Sequence, residues 1–285
     1  MALTSRTPTT LVTNLFVPAI YSNKVIEAAK SQLVAFDCIN SEWASGMKKG
    51  NIFYIPKTNV VSATEVVVGT KASATNPMAT TGITLTINQW YEAPVDIEDM
   101  SAFQTQTAAE DYASTEAAYA VNVKMDTSVC TLFTALSSSS IQGADGQTMT
   151  DDILLAVKEG LDEANVPMDG KRYLIVDPSA LTDMMKIDKF IQNDYVNKGA
   201  VTNGIIGNSP IYGCQVRVTN NLVAATTGAY AAMLHKNALA AKAQIHKAWT
   251  SEYKELHQTR YQAEALWGVI EAQTTFGKCF YTRHA

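Results

Sequence analysis

The sequence predicts a mixed α+β fold, and three observations carry that prediction. A β-rich stretch from Gly50 to Val95 holds the strictly alternating run Ile83-Thr84-Leu85-Thr86-Ile87, the pattern of a half-buried strand. No glycine or proline interrupts residues 95 to 142, a length that permits one long helix. From residue 148 to residue 219 helical and strand signals alternate, as an α/β block requires.

The elements follow in order. The first 20 residues are Thr-rich, carry little charge and read as an extended arm. Ser22 to Phe36 predicts a short amphipathic helix with Val25, Ile26, Ala29, Leu33 and Phe36 on one face. Next come the β runs Ile52-Phe53-Tyr54-Ile55 and Val66-Val67-Val68. Between the latter and the Ile83 run lies Gly69 to Gly82, rich in Thr, Ala, Ser and Lys. Such a hairpin is too weakly hydrophobic to make a core of its own, so it should project and settle on another surface. Within the breaker-free run, Tyr112, Tyr119, Val123, Cys130 and Phe133 fit one helical side. Val121, Met125, Val129, Leu132 and Leu136 fit a neighbouring side. A single helix over 101–136 would span about 50 Å at about 1.5 Å per residue.

After Gly143 and Gly146 a helix starts with Thr148 or Thr150 as cap and Asp151 and Asp152 in its first turn, where the helix dipole favours acid. It ends near Asn165-Val166-Pro167. Tyr173-Leu174-Ile175-Val176 reads as a buried strand. Asp177-Pro178 reads as cap and first helical position of the next helix. Residues 194–212 form a glycine-containing loop, and residues 215–219 another strand. The tail has strand-like segments at 230–234 and 266–270.

Composition bounds the function. The chain has 285 residues with 22 basic and 27 acidic side chains, net −5, so it lacks the basic excess that drives duplex binding. Charged residues make up 17%, below the usual quarter, which suits a surface largely covered by partners. Cys38, Cys130, Cys214 and Cys279 lie far apart, as buried neutral thiols would, without the spacing of a zinc site or disulfide framework. No stretch reaches the roughly 18 apolar residues of a membrane span, and the first 21 residues do not read as a secretory leader.

Catalytic motifs are missing: there is no phosphate loop, nucleophile elbow or H-E-x-x-H. Gly199, Gly204 and Gly207 have the wrong spacing for a dinucleotide fingerprint. His235, His246 and His257 recur every 11 residues, but the region reads as strand and loop, so the spacing is taken as coincidence. Asp96, Glu98 and Asp99 could hold a cation, although a solvated helix entry explains the same run. No catalytic, metal or cofactor residues are assigned.

Segment order points to a family. Lys49-Gly50-Asn51-Ile52-Phe53-Tyr54-Ile55-Pro56 resembles the start of the extended loop of tailed-phage major capsid proteins of the Hong Kong 97 type, the fold shared with encapsulin shells. Ile83 to Ile87, Trp90-Tyr91 and Val95 to Asp99 resemble its return strand and entry into a spine helix. Val166-Pro167 and Gly170 to Pro178 resemble the opening of its axial domain. Asn203-Gly204-Ile205-Ile206-Gly207, Gly213 to Val216 and Thr219-Asn220-Asn221 resemble its axial loop and following strand. Glu252-Tyr253, Arg260-Tyr261 and Leu266 to Phe280 resemble its peripheral strands.

The resemblance implies an α+β capsid subunit with five parts: arm and short helix (1–50), extended β loop (51–95), spine helix of a peripheral domain (96–147), axial domain (148–228) and peripheral strands with the C-terminus (229–285). It implies a structural, non-enzymatic protein that self-assembles through pentamers and hexamers into an icosahedral head. The head would be built in the host cytoplasm and retained in the virion. A separate scaffolding protein, a portal and decoration proteins would be its partners, with double-stranded DNA touched non-specifically. Lys71, Trp90, Tyr91, Asn203, Gly204, Glu252, Arg260 and Tyr261 are the expected inter-subunit contacts. An encapsulin-like compartment shares this shell chemistry and differs in its cargo. A soluble α/β enzyme would need a nucleophile–base pair that the sequence does not offer. A tail-tube protein would be β-rich throughout, against the breaker-free run.

Overall fold

The computed structural model describes residues 30–31, 33–43, 50–58, 61, 63, 65, 68–69, 80–99, 109–136, 141–187, 189, 201–202, 205–206 and 210–283. The expected arm, and the expected helix up to residue 29, lie outside them. The described end of that helix is not helical: residues 30, 31, 33 and 34 are irregular, and only Phe36–Cys38 winds into a 3-10 turn.

Two strands, β1 (Ile52–Thr58) and β2 (Thr80–Thr86), pair antiparallel into a two-stranded ribbon, with Ile52 opposite Thr86 and Thr58 opposite Thr80. The strand expected at 66–68 is not seen where described, because Val68 and Gly69 form a turn with Gly69 at φ 87°. The chain continues into β3 (Gln89–Glu98) and the spine helix α1 (Ala109–Cys130), then a 3-10 turn (Thr131–Ala135). Of the expected helix entry Asp96, Glu98 and Asp99, the first two are therefore strand and Asp99 is helical. Alternation in Val95-Asp96-Ile97-Glu98, together with pairing to a later strand, overrides the helix permission that a lack of breakers gives. The described helix has 22 residues, about 33 Å at ~1.5 Å per residue. Residues 101–108 lie outside the described set.

The α/β block forms close to expectation. Helix α2 (Asp151–Glu163) is capped by Thr150, though without a side-chain hydrogen bond. Strand β4 (Arg172–Val176) follows, and then α3 (Pro178–Met184), with Asp177 accepting a hydrogen bond from the Ala180 amide and proline first in the helix. Short strands β5 (Val201–Thr202) and β6 (Ile205–Ile206) pair antiparallel. Then come β7 (Gln215–Val218), β8 (Gly228–His235), β9 (Leu239–Tyr253), β10 (Gln258–Glu271) and β11 (Gly277–Arg283).

Strand pairing crosses the sequence divisions. One sheet has the order β11-β8-β4-β7, and a second the order β3-β10-β9. Residues on both sides of 228 thus share the four-stranded sheet, since β8 pairs with β4 and β11 pairs with β8. One face of that sheet (Leu174, Val176, Met233, Phe280) packs on Leu154, Val157 and Leu161 of α2 and Met184 of α3. The other face (Ile175, Ala232, Leu234, Cys279) packs on Val129, Cys130, Phe133 and Leu136 at the end of the spine. The spine's terminus is a wedge under this sheet, which is why β8 is buried on both sides.

The spine also covers one face of the second sheet. Ala117, Val121 and Met125 meet Ala263, Ala265 and Trp267 of β10. Ala113, Ala117, Val121, Met125 and Val129 form its buried stripe at i, i+4 spacing. Alanines at 113 and 117 let the helix axis approach the strand closely. Both sheets are therefore tied to a single rod.

Candidate assembly surfaces

Register fixes which side chains of the β3-β10-β9 sheet face the spine. Trp267 faces it, fully buried, with its indole N–H donating to Ser128 Oγ at 2.9 Å. Tyr91 lies on that same side, stacked on Trp267 with ring centroids 5.3 Å apart. Tyr261 and Glu252 fall on this side too, paired with Val95 and Thr259 respectively. Trp90, Arg260, Trp249 and Tyr253 fall on the opposite side.

That opposite face is open over most of its length. Trp90 is 67% exposed and Trp249 42%. One ion pair lies within the face. Arg260 makes a bidentate pair with Asp96 at 2.6 and 2.8 Å and lies over the Tyr253 ring at 4.7 Å. That hydrogen-bonded guanidinium holds the Asp96 carboxyl below the usual carboxylate range. Gln262 donates to Glu92. Aromatic surface left in water in this way marks a face suited to contact with another protein.

At its other end the same face is covered by the ribbon. Leu85 and Ile55 bury against Ala240 and Ala272, with Ile83, Phe53, Ile270 and Trp43 around them. The ribbon's outer side stays in water: Tyr54 is 68% exposed, and Ile52 and Val61 are exposed as well. Val68, in the turn, is fully exposed. A two-stranded ribbon has two free edges and one usable face, so it is marginal without further cover. Between ribbon and body lies a cleft of about 560 Å³ lined by Trp43, Phe53, Ile55, Ile83 and Phe276.

The sheet thus brings Trp90 and Arg260 onto one face, and sets Tyr91, Tyr261 and Glu252 on the other. Lys71, Asn203 and Gly204 lie outside the described residues; the strands flanking the latter two pair Thr202 with Ile205. The three evenly spaced histidines do not converge: His235 ends β8, His246 lies in β9 and His257 sits in the turn before β10. Among the described residues no group of three metal-ligating side chains is assembled. The Asp96 run is engaged as an ion pair and a hydrogen bond from Thr259 to Asp99.

The sequence model of the phage capsid protein family matches residues 96–272, which run from the end of β3 through β10. The chain belongs to the phage capsid protein family. As a phage capsid protein it is a structural component of the virion. Solved structures agree at the level of fold. A chain from Mycobacterium phage Che8 superposes with a TM-score of 0.79 at 21% identity, covering 94% of this chain and 97% of its own. A chain from the capsid of the cyanophage P-SCSP1u gives 0.76 at 16% identity, covering 98% and 96%. One from the capsid of a native GTA particle gives 0.71 at 10%, covering 98% and 100%. A search of curated protein sequences returns no match.

This capsid protein carries one polar node that sequence reading missed. Asp126, near the C-terminal end of the spine and 1% exposed, accepts hydrogen bonds from the backbone amides of Ala35 and Phe36 at 2.7 and 3.1 Å and from Asn221 Nδ2 at 3.0 Å. Ser31 donates to Asn221 Oδ1 at 2.8 Å, and its amide donates to the Tyr119 hydroxyl at 2.7 Å. Lys30 pairs with Glu116 at 2.8 Å. Residues 30–36 are thereby strapped along the spine in the direction of Glu116, Tyr119 and Asp126. Asp126 is the only acid between Glu116 and Asp145, and that isolation was the available signal.

Proposed function

We propose that this chain is the major capsid subunit of a tailed phage, with a Hong Kong 97-type organisation: an axial α/β unit, a peripheral unit built on the spine, an extended loop and an arm. Copies repeat around five- and six-fold positions to close an icosahedral head around double-stranded DNA. The observation that carries this reading is the presence of an uncovered outer ribbon side and an uncovered aromatic sheet face on one capsid-family chain. Each satisfies in a neighbour what the subunit leaves in water. The ribbon, with Lys71 near its tip, reaches across a neighbour. Trp90 and Arg260 receive contacts on the open face. Tyr91, Glu252 and Tyr261 border the spine side, and Asn203 and Gly204 serve at capsomer centres. Each contact is modest, and the closed lattice gains by multivalency.

Scaffold, portal and decoration proteins are the further partners of this reading. The net charge of −5 supports a neutral or acidic inner wall that lets packaged DNA slide. Co-expression with the adjacent scaffold, followed by electron microscopy, tests the function. Closed particles of uniform diameter are expected, and a soluble monomer at all concentrations would refute it.

A further inference from the structure

We propose that Gly268 is the seat that sets the ribbon's angle to the subunit body, an inference that rests on the ribbon's role as an inter-subunit strap. Strand β2 crosses β10 at this residue. A Cβ placed on Gly268 would stand 2.3 Å from the Thr86 carbonyl oxygen, 2.9 Å from its carbon and 3.0 Å from Ile87 Cα. All three are backbone atoms, so no rotamer change relieves the contact. Gly268 does not occupy the left-handed region, whereas Gly69, Gly143 and Gly170 do. A side chain there is therefore compatible with β10's own backbone and collides only with the ribbon.

The surroundings define a seat. β10 has its pairing irregularity with β9 between Leu266 and Trp267, one residue before the crossing. A bulge bends a strand and re-aims its neighbours. Trp267 is locked beneath by Ser128 and Tyr91, so β10 cannot sink away from the ribbon. Gly268's face carries the small residues Ala240 and Ala272 under the ribbon, with Ile270 beside them and Lys242 directly opposite Gly268. The ribbon's root is closed by the Ile87 amide donating to the Asn51 carbonyl at 2.8 Å, and tethered by Gln244 donating to the Gly50 carbonyl at 3.2 Å. On the far side the Trp43–Phe276 cleft leaves space under the strands. The root is held, the crossing is tight, and the space beside it is open. A side chain at 268 therefore pushes on the ribbon at its root, at Thr86 and Ile87, and changes the angle at which both strands leave the body.

The test uses the full chain in three variants. Gly268→Ala and Gly268→Val add graded bulk at the crossing. Gly82→Ala, in β2 with nothing within 4 Å of its Cβ position, is the control. Hydrogen exchange on the unassembled subunit is the primary reading, and electron microscopy of assembled particles the second. Gly268→Val is expected to lose protection along 52–58 and 80–86 while 172–176 and 228–235 keep theirs, with Gly268→Ala intermediate. Its particles are expected to be lost or changed in diameter, and those of Gly82→Ala unaltered. Unchanged ribbon protection in Gly268→Val overturns the inference. So does loss of protection throughout the subunit in Gly268→Ala, because the crossing would then belong to the core. Failure of the wild type to form particles would retire the capsid reading instead, since exchange reads the seat without assembly.

Discussion

Individual residues show where polar groups are held inside and what that costs when broken. Asp126 satisfies two backbone amides and Asn221 away from water. Asp126→Ala strands those donors and should destabilise the subunit by roughly 2–4 kcal/mol, because a buried unsatisfied donor costs about 1–3 kcal/mol. Urea unfolding of the unassembled subunit measures it. The thiols make a second case. Burial pushes Cys38 and Cys279 up to about 12 and Cys214 to about 11, and raises Cys130 as well. Thiolates are the reactive form. None of the four should react with a disulfide reagent in the native protein at pH 8, and all four should react after unfolding. Asp162 is held below the usual carboxylate range by Lys158 and then by the buried Arg172, which it meets at 2.7 Å. A folded value below the unfolded one stabilises above about pH 3.9, and that stability is lost as pH falls through the lower value. The stability gap between wild type and Asp162→Asn should hold constant from pH 5 to 8 and shrink below about pH 4.

At the scale of elements, the sequence was legible where local chemistry and tertiary role agree. Asp177-Pro178 starts α3 because the carboxylate caps and proline fits the first turn. The Ile83–Ile87 alternation is a ribbon strand because only its Ile83 and Leu85 side has a surface to cover. Residues 96–98 deceived because a lack of breakers permits a helix and does not demand one. Their fate is set by β10, some 160 positions later, through pairs such as Arg260 with Asp96. The length of β9 was hidden for a related reason: Ala240, Ala241 and Ala243 have weak strand preference, and small size at the ribbon and spine contacts selects them. The open sheet face yields a prediction at this scale. Trp90→Ala and Trp249→Ala should leave unfolding free energy within about 0.5 kcal/mol, as exposed positions do. Particle yield should fall, because the loss is felt at the interface. Calorimetry beside sedimentation separates the two effects.

For the whole molecule, the spine explains why two sheets behave as one body. Its middle packs on Ala263, Ala265 and Trp267, and its end wedges under Ile175 and Leu234. What remains outside this body is the ribbon's outer side and the Trp90 face. Sequence order revealed the family and the ribbon. It did not reveal which β10 residues face water, since face assignment needs the register. On the reading proposed above, other copies of the chain complete these surfaces. Hydrogen exchange comparing unassembled subunit with closed particles tests that most directly. Amides of 52–58, 80–86 and 89–98 should gain protection on assembly while the four-stranded sheet changes little. Equal protection in both states at the ribbon and the Trp90 face would contradict the account.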